Sequence, residues 1–292
     1  MKSVQYIEKK IDCHLQEFTD ENEFTKILNY AIFPAGKLFR PSLIYGLSHD
    51  TNSHNDNHEY FASSIEIHHS YTLIHDDLPA MDNDEYRRGK LSTHKKYGHW
   101  QAILAGDALL SLSYGLLSKI NHKAINELIY LYHEFTGTRG LILGQVLDLN
   151  NKVDNLNDII QIHTLKTARL IQLSLMGSNI LSDKPIDLKE IEKLGLSIGI
   201  VFQLIDDLTE LTEKVGEHEK EINPFLRFNS NTIIEIINKE ILLMRNILLK
   251  NELKNLEMIC EGYLKKMKQR LVNSSEKIKL YLPEFNSKLI NF

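Results

Sequence analysis

Four aspartates crowd into one short segment of the sequence, LIHDDLPAMDND, where their negative charges should repel one another. Asp76, Asp77, Asp82 and Asp84 fall within nine positions, and the apolar stretch Leu78–Met81 separates the second from the third. Like charges at this spacing are stable only when something positive offsets them. Carboxylate oxygens are the ligands that Mg²⁺ prefers, together with the phosphate oxygens of a substrate. The segment therefore predicts a metal site for a phosphorylated substrate, and a solvated acidic loop is the alternative.

Basic residues lie on both sides of this acidic segment. Arg87 and Arg88 follow it directly, and adjacent guanidinium groups suit the recognition of phosphate. Upstream, the segment AGKLFRP contains Gly36, which permits a close backbone approach, and then Lys37 and Arg40. These two cations share one face if the segment is helical, and a surface charge pair is the alternative. The sequence thus offers two candidate anion-binding groups beside the acids.

A second acidic cluster lies within the strongly apolar segment GIVFQLIDDLTEL. Asp206 and Glu210 are four residues apart and share a helix face, and Asp207 lies next to them. Burying so many acids without a partner would be costly. A helix end that emerges into solvent after Leu208 is the alternative. Two acidic helices that face one cavity would instead hold several metal ions around one diphosphate.

The elements that must position these residues are predicted to be helices. Apolar residues recur at helical spacing, and no segment shows sustained strand-like alternation. We expect an all-α chain of about ten helices, folded as a single large bundle around a central active-site cavity. The clearest helical segments are 57–76, 100–120, 122–135, 158–181, 187–213, 231–249 and 251–281.

The composition of the 292-residue chain excludes several classes of protein. A net charge of −5 provides no general basic field for nucleic acid or for an anionic membrane surface. Cys13 and Cys260 are the only cysteines, which fits a reducing cytoplasm and excludes a disulfide scaffold. No apolar stretch is long enough for a membrane span.

The motifs together resemble those of the bacterial trans-isoprenyl diphosphate synthases of the farnesyl diphosphate synthase type. The resemblance runs from about residue 25 to 230. Its motifs, in chain order, are GKxxRP (Gly36, Lys37, Arg40, Pro41), HxxxxxHDDxxxxD (His69, His75, Asp76, Asp77, Asp82), RRG (Arg87, Arg88, Gly89), LAGD (Leu104 to Asp107), GQxxD (Gly144, Gln145, Asp148), KT (Lys166, Thr167) and FQxxDD (Phe202, Gln203, Asp206, Asp207).

The resemblance implies one polyprenyl synthetase domain over residues 1–292 and a trans-prenyltransferase activity. Such an enzyme, a dimethylallyltranstransferase and geranyltranstransferase, joins isopentenyl diphosphate head to tail to an allylic diphosphate and makes farnesyl diphosphate. The allylic C–O bond breaks first, the isopentenyl double bond attacks the cation, and a proton is then lost. A geranyl or geranylgeranyl product, a weakly active regulatory subunit and a terpene cyclase are the alternatives. The resemblance also implies a homodimer, and the cysteine content favours the cytoplasm.

The resemblance also implies a role for each matching residue. About three Mg²⁺ ions would bind with the substrate diphosphate. The metal-binding residues would be Asp76, Asp77, Asp82, Asp206, Asp207 and Glu210; the substrate-binding residues Gly36, Lys37, Arg40, His69, Arg87, Arg88 and Lys220; and the catalytic residues Lys166, Thr167 and Gln203. Asp107 and Asp148 also match family motifs, but helix-cap or network roles explain them equally well.

Two features bear on product length and on departures from the family. Tyr71, five residues before Asp76, and the adjacent Thr72 would form the floor that stops chain elongation, and a packed core tyrosine is the alternative. Glu210 stands where the family has aspartate, so its reach is one methylene longer. The following loop is short, and Lys220 is the best match to the family's lysine there.

Overall fold

The computed structural model describes residues 3–150, 152–212 and 222–292. Almost all of its regular structure is helical, so the predicted all-α class is confirmed. The chain divides into two compact units, Met1–Ile129 with Ile180–Asp183, and Tyr130–Asn179 with Lys184–Phe292. None of the helices in the described part of the chain is both long and apolar enough to cross a membrane.

The first unit contains six helices and a short hairpin. They are α1 Val4–Gln16, α2 Glu23–Ile32, α3 Phe39–Asp50, α4 Asp56–Asp76, β1 Tyr86–Arg87, β2 Lys90–Leu91, α5 Thr93–Tyr97 and α6 His99–Leu117. Helix α4 packs against α1, α3 and α6, and its central residues are almost all buried. Asn55 caps its start by accepting a hydrogen bond from the Asn57 N–H, as short polar side chains do at helix N-termini.

Helix α7, Ile125–Thr136, has residues in both units, and the second unit contains the remaining elements. They are α8 Leu141–Leu149, α9 Leu156–His163, a π-helical turn Thr164–Ala168, α10 Arg169–Ile180, α11 Leu188–Glu210, α12 Pro224–Arg227, α13 Ser230–Lys250, α14 Lys254–Asn273, α15 Ser275–Ile278 and a 3₁₀ turn Ser287–Leu289. Helix α11 packs against α13 and against the π-helical turn.

The helices match the predicted segments closely, and the hairpin was not predicted. Tyr86 pairs with Leu91 and Arg87 with Lys90, which leaves a two-residue turn. Both turn residues, Arg88 and Gly89, have positive φ angles of 53° and 77°. Such a turn matches the twist of a hairpin, and only its glycine adopts this conformation without strain. The hairpin gives the two arginines different directions, which their adjacency in sequence does not reveal.

Candidate active site

The first acidic cluster begins where α4 ends. Asp76 is the last helical residue, and the chain then folds back so that the Asp82 N–H donates to the Asp76 carbonyl at 2.9 Å. Asp76 is half-buried and Asp82 is exposed. Leu78 is buried, whereas Pro79 and the residues after it reach the surface. The intervening apolar residues therefore form a tight loop that joins the backbones of the two predicted metal ligands.

Arg87 is hydrogen-bonded to the other two acids of this segment, Asp77 and Asp84. Its Nε and Nη2 donate to Asp77 Oδ1 at 2.8 and 2.5 Å, and Nη2 also donates to Asp84 Oδ2 at 2.7 Å. Asp77 is 3% exposed. Burial raises the pKa of its carboxyl, and the hydrogen bonds from Arg87 act in the opposite direction. The Arg87 guanidinium therefore supplies part of the positive charge that the acid spacing requires.

The turn of the hairpin directs Arg88 toward the end of α2. Its Nη1 donates to the carbonyl of Ile32 at 3.1 Å and to that of Pro34 at 3.4 Å. A Cβ atom at Gly36 would lie only 3.1 Å from the Arg88 Nη2. Gly36 therefore allows a close approach, and the group that approaches is the Arg88 guanidinium.

The segment that contains Lys37 and Arg40 is not one continuous helix, so the shared helix face considered from the sequence is wrong. Leu38 has a φ angle of 49°, and α3 begins only at Phe39. Lys37 therefore precedes the helix and is exposed, whereas Arg40 lies in its first turn. The two cations do not share a helix face, because the left-handed residue between them turns the chain.

Two half-buried arginines, Arg40 and Arg88, act on one buried carboxylate in the first unit. Glu66 lies inside α4, and its Oε1 is 3.6 Å from Arg88 Nη2. Burial raises the pKa of Glu66 to about 7, although Arg88 and Arg40 favour its charged form. Burial lowers the pKa of Arg40 to about 10, and its Nε has no hydrogen-bond partner among the described residues. This cluster of Arg40, Glu66 and Arg88, which we call the arginine pair, carries net positive charge and is partly shielded from solvent.

His69 lies close enough to the arginine pair to respond to it. Burial, and then the charges of Arg40 and Arg88, hold the pKa of His69 well below its ordinary value. The imidazole is therefore neutral and can donate only one hydrogen bond. The role of His69 as a substrate ligand stays a prediction. Glu66 was not predicted from the sequence, although an acid inside an apolar helix is a signal that it needs partners.

The Tyr71 ring packs between two histidine rings in the last turns of α4, just before the first acids. The Tyr71 ring lies 4.6 Å from the His68 ring and 5.7 Å from the His75 ring, measured between centroids. Thr72 Oγ1 donates to the His69 carbonyl at 2.8 Å. Tyr71 is 6% exposed. The floor role of Tyr71 and Thr72 stays a prediction, and the packing supports the core role of Tyr71 as well.

The LAGD motif has a clear role in local packing. His75 Nε2 donates to the Ile103 carbonyl at 3.1 Å and lies 3.8 Å from Asp107 Oδ1. A Cβ atom at Gly106 would fall 2.1 Å from the same nitrogen. Gly106 therefore leaves room for the imidazole, and the motif fixes the helix end that presents the acids.

In the second unit, the π-helical turn carries two of the predicted catalytic residues. Lys166 Nζ lies 2.5 Å from Asp148 Oδ2. Thr167 Oγ1 donates to Gln203 Oε1 at 2.8 Å. A Cβ atom at Gly144 would lie 2.4 Å from the backbone nitrogen of Lys166, so only glycine fits opposite the π-helical turn. Irregular turns of this kind occur frequently at functional sites.

Asp207 differs from Asp77 because, among the described residues, no lysine or arginine side chain is bound to it. Gln203 Nε2 donates to its Oδ1 at 2.9 Å. Its Oδ2 lies 3.4 Å from His163 Nε2 but forms no hydrogen bond with a described residue. Burial lowers the pKa of His163 to about 4, so the ring is neutral. Burial, reinforced by Glu210, raises the pKa of Asp207 well above its ordinary value.

The other acids of the second cluster are more accessible. Asp206 is half-buried and Glu210, the last residue of α11, is exposed. The alternative of a helix end emerging into solvent thus describes Glu210 but not Asp207, which is buried. Arg270 Nη1 on α14 lies 3.8 Å from Asp206 Oδ1. Arg270 was not predicted from the sequence, because no motif surrounds it. Lys220, which was predicted to bind substrate, lies outside the described residues.

Mg²⁺ is the metal that these donors suit, although the protein alone does not form a closed cage for it. The described residues contain no group of three histidine, cysteine or acidic side chains that could hold an ion. Mg²⁺ usually binds to one or two carboxylates and completes its shell with water and substrate phosphates. The carboxylates of Asp76, Asp82 and Asp206 fit that mode of binding.

Comparisons with known proteins show the family to which this chain is related. The polyprenyl synthetase family model matches residues 21–240. The farnesyl diphosphate synthase of Micrococcus luteus is 31% identical over 225 residues, which cover 75% of this chain and 77% of that protein. The apo structure of an FPP/GFPP synthase from Zymomonas mobilis is 26% identical, with a TM-score of 0.78, and the match covers 88% of this chain and 95% of that one.

A further similar structure contains ligands. It is the Helicobacter pylori geranyltransferase complexed with magnesium and isoprenyl diphosphate, which is 27% identical, with a TM-score of 0.70. The match covers 91% of this chain and 99% of that one. Since the family model spans most of the chain and the relatives align along it, this chain belongs to the polyprenyl synthetase family.

Proposed function

We propose that this chain is a trans-prenyltransferase that condenses isopentenyl diphosphate with dimethylallyl or geranyl diphosphate, head to tail, to give farnesyl diphosphate. The observation that carries the proposal is that the two adjacent arginines of the first unit have different partners. Arg87 is bound to the acids, and Arg88 belongs to the separate arginine pair. A cavity lined by Asp77, Arg87, Arg88 and Lys90 lies beside the hairpin. An enzyme that uses two diphosphates needs two separate cationic groups, and a terpene cyclase needs one.

The acidic residues are proposed to act through Mg²⁺ and the allylic diphosphate. Asp76 and Asp82 would hold metal in the first unit, and Asp206 in the second, with Asp77, Asp207 and Glu210 as further oxygen donors. Mg²⁺ supplies Lewis-acid stabilisation of the leaving diphosphate, which is worth several kcal/mol. The number of ions and the role of Glu210 stay predictions.

The residues of the chain itself would prepare the ionisation of the allylic substrate. Lys166 would exchange its contact with Asp148 for a diphosphate oxygen, so that fixed positive charge stabilises the leaving group as the C–O bond breaks. The hydrogen bond from Thr167 to Gln203 holds both dipoles in place beforehand. Dipoles that are already oriented need no reorganisation during the reaction.

Lys37, Arg40, His69 and Arg88 would hold isopentenyl diphosphate in the first unit, with Gly36 allowing the close approach. The partial shielding from solvent strengthens the attraction between the arginine pair and a diphosphate. The isopentenyl double bond then attacks the allylic cation, and the departing diphosphate accepts the proton that is lost. Apolar residues around the reacting carbons would exclude water, which would otherwise quench the cation.

A homodimer is proposed from an exposed apolar surface on α6. Trp100, Ile103 and Leu104 are 63%, 44% and 48% exposed, and their spacing places them along one side of the helix. Large apolar side chains grouped in this way mark protein interfaces. The cytoplasmic location stays a prediction of the sequence.

The direct test is product analysis with purified protein and Mg²⁺. Dimethylallyl diphosphate with isopentenyl diphosphate should yield farnesyl diphosphate and release diphosphate, and geranyl diphosphate should serve as a second primer. A geranylgeranyl product would change the proposed product length and leave the proposed reaction intact. Consumption of an allylic diphosphate without isopentenyl diphosphate would favour a cyclase, and no product at all would refute the proposal.

A further inference from the structure

The end of α2 presents backbone carbonyls that favour a cation. The Phe33 N–H donates to the Asn29 carbonyl at 2.8 Å. The next residue is Pro34, which has no N–H group and cannot donate to the Tyr30 carbonyl one residue further along the helix. The helix dipole adds partial negative charge at this end. Positively charged side chains are therefore stabilised there.

Lys90, in the second strand of the hairpin, supplies one such cation. Its Nζ donates to the carbonyls of Tyr30 and Phe33 and lies 4.0 Å from the centroid of the Tyr30 ring. The face of an aromatic ring attracts an ammonium group. The Tyr30 hydroxyl in turn donates to the carbonyl of Leu91 at 2.7 Å. Both residues of the strand are therefore bound to α2, one through its side chain and the other through its backbone.

The same helix end receives Arg88 from the turn of the hairpin. Arg88 Nη1 donates to the carbonyls of Ile32 and Pro34. The φ angle of Arg88 is 53°, which is unfavourable for a residue with a long side chain. A strained backbone of this kind persists only where the surrounding contacts hold it. Lys90 lies two residues further on, so its contacts with α2 hold the strand that leaves the strained turn.

We propose that Lys90 is a positioning residue that directs Arg88 toward isopentenyl diphosphate. The inference rests on the proposed function, in which Arg88 helps to hold that substrate. Arg87 pairs with Lys90 across the hairpin through the backbone, but its guanidinium is held by Asp77 and Asp84. Loss of the Lys90 ammonium should therefore displace Arg88 and leave the Arg87 guanidinium in place.

The test compares two lysines that bind opposite ends of the hairpin. Lys90→Met removes the ammonium and keeps a side chain of similar length. Lys95→Met is the matched control, because Lys95 on α5 is paired at 2.6 Å with Glu85, the residue before the first strand. KM for isopentenyl diphosphate should rise about 3- to 10-fold in K90M, and KM for geranyl diphosphate should change less than about twofold. Both KM values should stay within about twofold of wild type in K95M.

A purely structural role for Lys90 would reduce the amount of folded enzyme, which lowers kcat and leaves both KM values unchanged. That result, or equal rises of the two KM values in K90M, would overturn the inference and leave the proposed function intact. A rise in KM for isopentenyl diphosphate of the same size in K95M would overturn it as well. Inactive wild-type protein would refute both.

A milder variant replaces K90M if that protein does not fold. Tyr30→Phe removes only the hydroxyl that donates to the Leu91 carbonyl, and it keeps the ring and the backbone that bind Lys90. KM for isopentenyl diphosphate should rise about two- to fivefold, with KM for geranyl diphosphate unchanged. No change in either KM would overturn the inference.

Discussion

Asp77 in the first unit and Asp207 in the second are both buried carboxylates in an acidic cluster, yet their surroundings differ. Two hydrogen bonds from Arg87 bind Asp77, whereas a neutral glutamine and a neutral histidine surround Asp207. The pKa of both is raised by burial, and that of Asp207 is well above its ordinary value. Arg87 therefore offsets part of the charge of the first cluster at its buried carboxylate. In the second cluster the described cation, Arg270, lies 3.8 Å from Asp206 Oδ1 and not at the buried Asp207.

The largest expected effect is the difference in kcat loss between substitutions of two acids in the second cluster, Asp206 and Glu210. Asp206→Asn should lower kcat by about 100-fold or more, because it removes the charge of a proposed metal ligand. Glu210→Gln should lower it less than about tenfold, since Glu210 is exposed at the helix end. Steady-state kinetics over a Mg²⁺ titration measure both variants. Equal losses would show that the exposed glutamate is as good a ligand as Asp206.

The arginine pair allows a second test, which concerns the charge balance of the first unit. Glu66→Gln should destabilise the fold by about 1–3 kcal/mol, because it leaves two half-buried guanidinium groups without their nearby buried anion. Inorganic diphosphate should then raise Tm in this variant roughly twice as much as in the wild type, since it replaces the missing charge. Thermal unfolding with and without diphosphate measures this difference.

The matched control lies on the same helix. Glu59 is as deeply buried as Glu66 and is paired with Lys10 at 2.6 Å, away from the arginine pair. Glu59→Gln should also lower Tm, but diphosphate should stabilise it no more than the wild type. A larger diphosphate effect in Glu59→Gln than in Glu66→Gln would contradict the assignment of the anion site.

The smallest expected effect concerns His68, a histidine whose burial disfavours its charged form. Burial lowers the pKa of His68 from 6.5 to about 3, so below pH 6.5 the unfolded chain binds a proton that the folded protein does not. Stability should therefore fall as pH decreases, by about 1.4 kcal/mol per pH unit from this residue. His68→Gln should flatten the decline between pH 6 and 4, as measured by denaturant unfolding, and substitution of the exposed His133 should not.

The sequence predicts the helices well because their apolar periodicity is local. The ends of α4 and α11 follow from it, and so do the positions of both aspartate pairs. Sequence patterns do not reveal partners that are distant along the chain. Arg270 beside Asp206 and Glu66 beside Arg88 are such cases. The left-handed Leu38 is another feature that was not predicted, since leucine rarely adopts that conformation.

Patterns of residue type also cannot distinguish a satisfied side chain from an unsatisfied one. Gln145 and Gln203 look alike as motif residues, but only the Gln203 amide has hydrogen-bond partners among the described residues. The two acidic clusters are likewise similar as sequence, and the pairing of Arg87 with the first cluster becomes clear only from its distances. Side-chain pairing, which depends on tertiary contacts, therefore determines the electrostatic difference between the two regions.

The central claim is that the first unit holds isopentenyl diphosphate through the arginine pair, apart from the allylic diphosphate. The most direct measurement is the KM for each substrate in Arg88→Ala and in the wild type. We expect KM for isopentenyl diphosphate to rise about tenfold or more, and KM for geranyl diphosphate to change less than about twofold. Equal changes in the two KM values, or a change confined to geranyl diphosphate, would contradict the account.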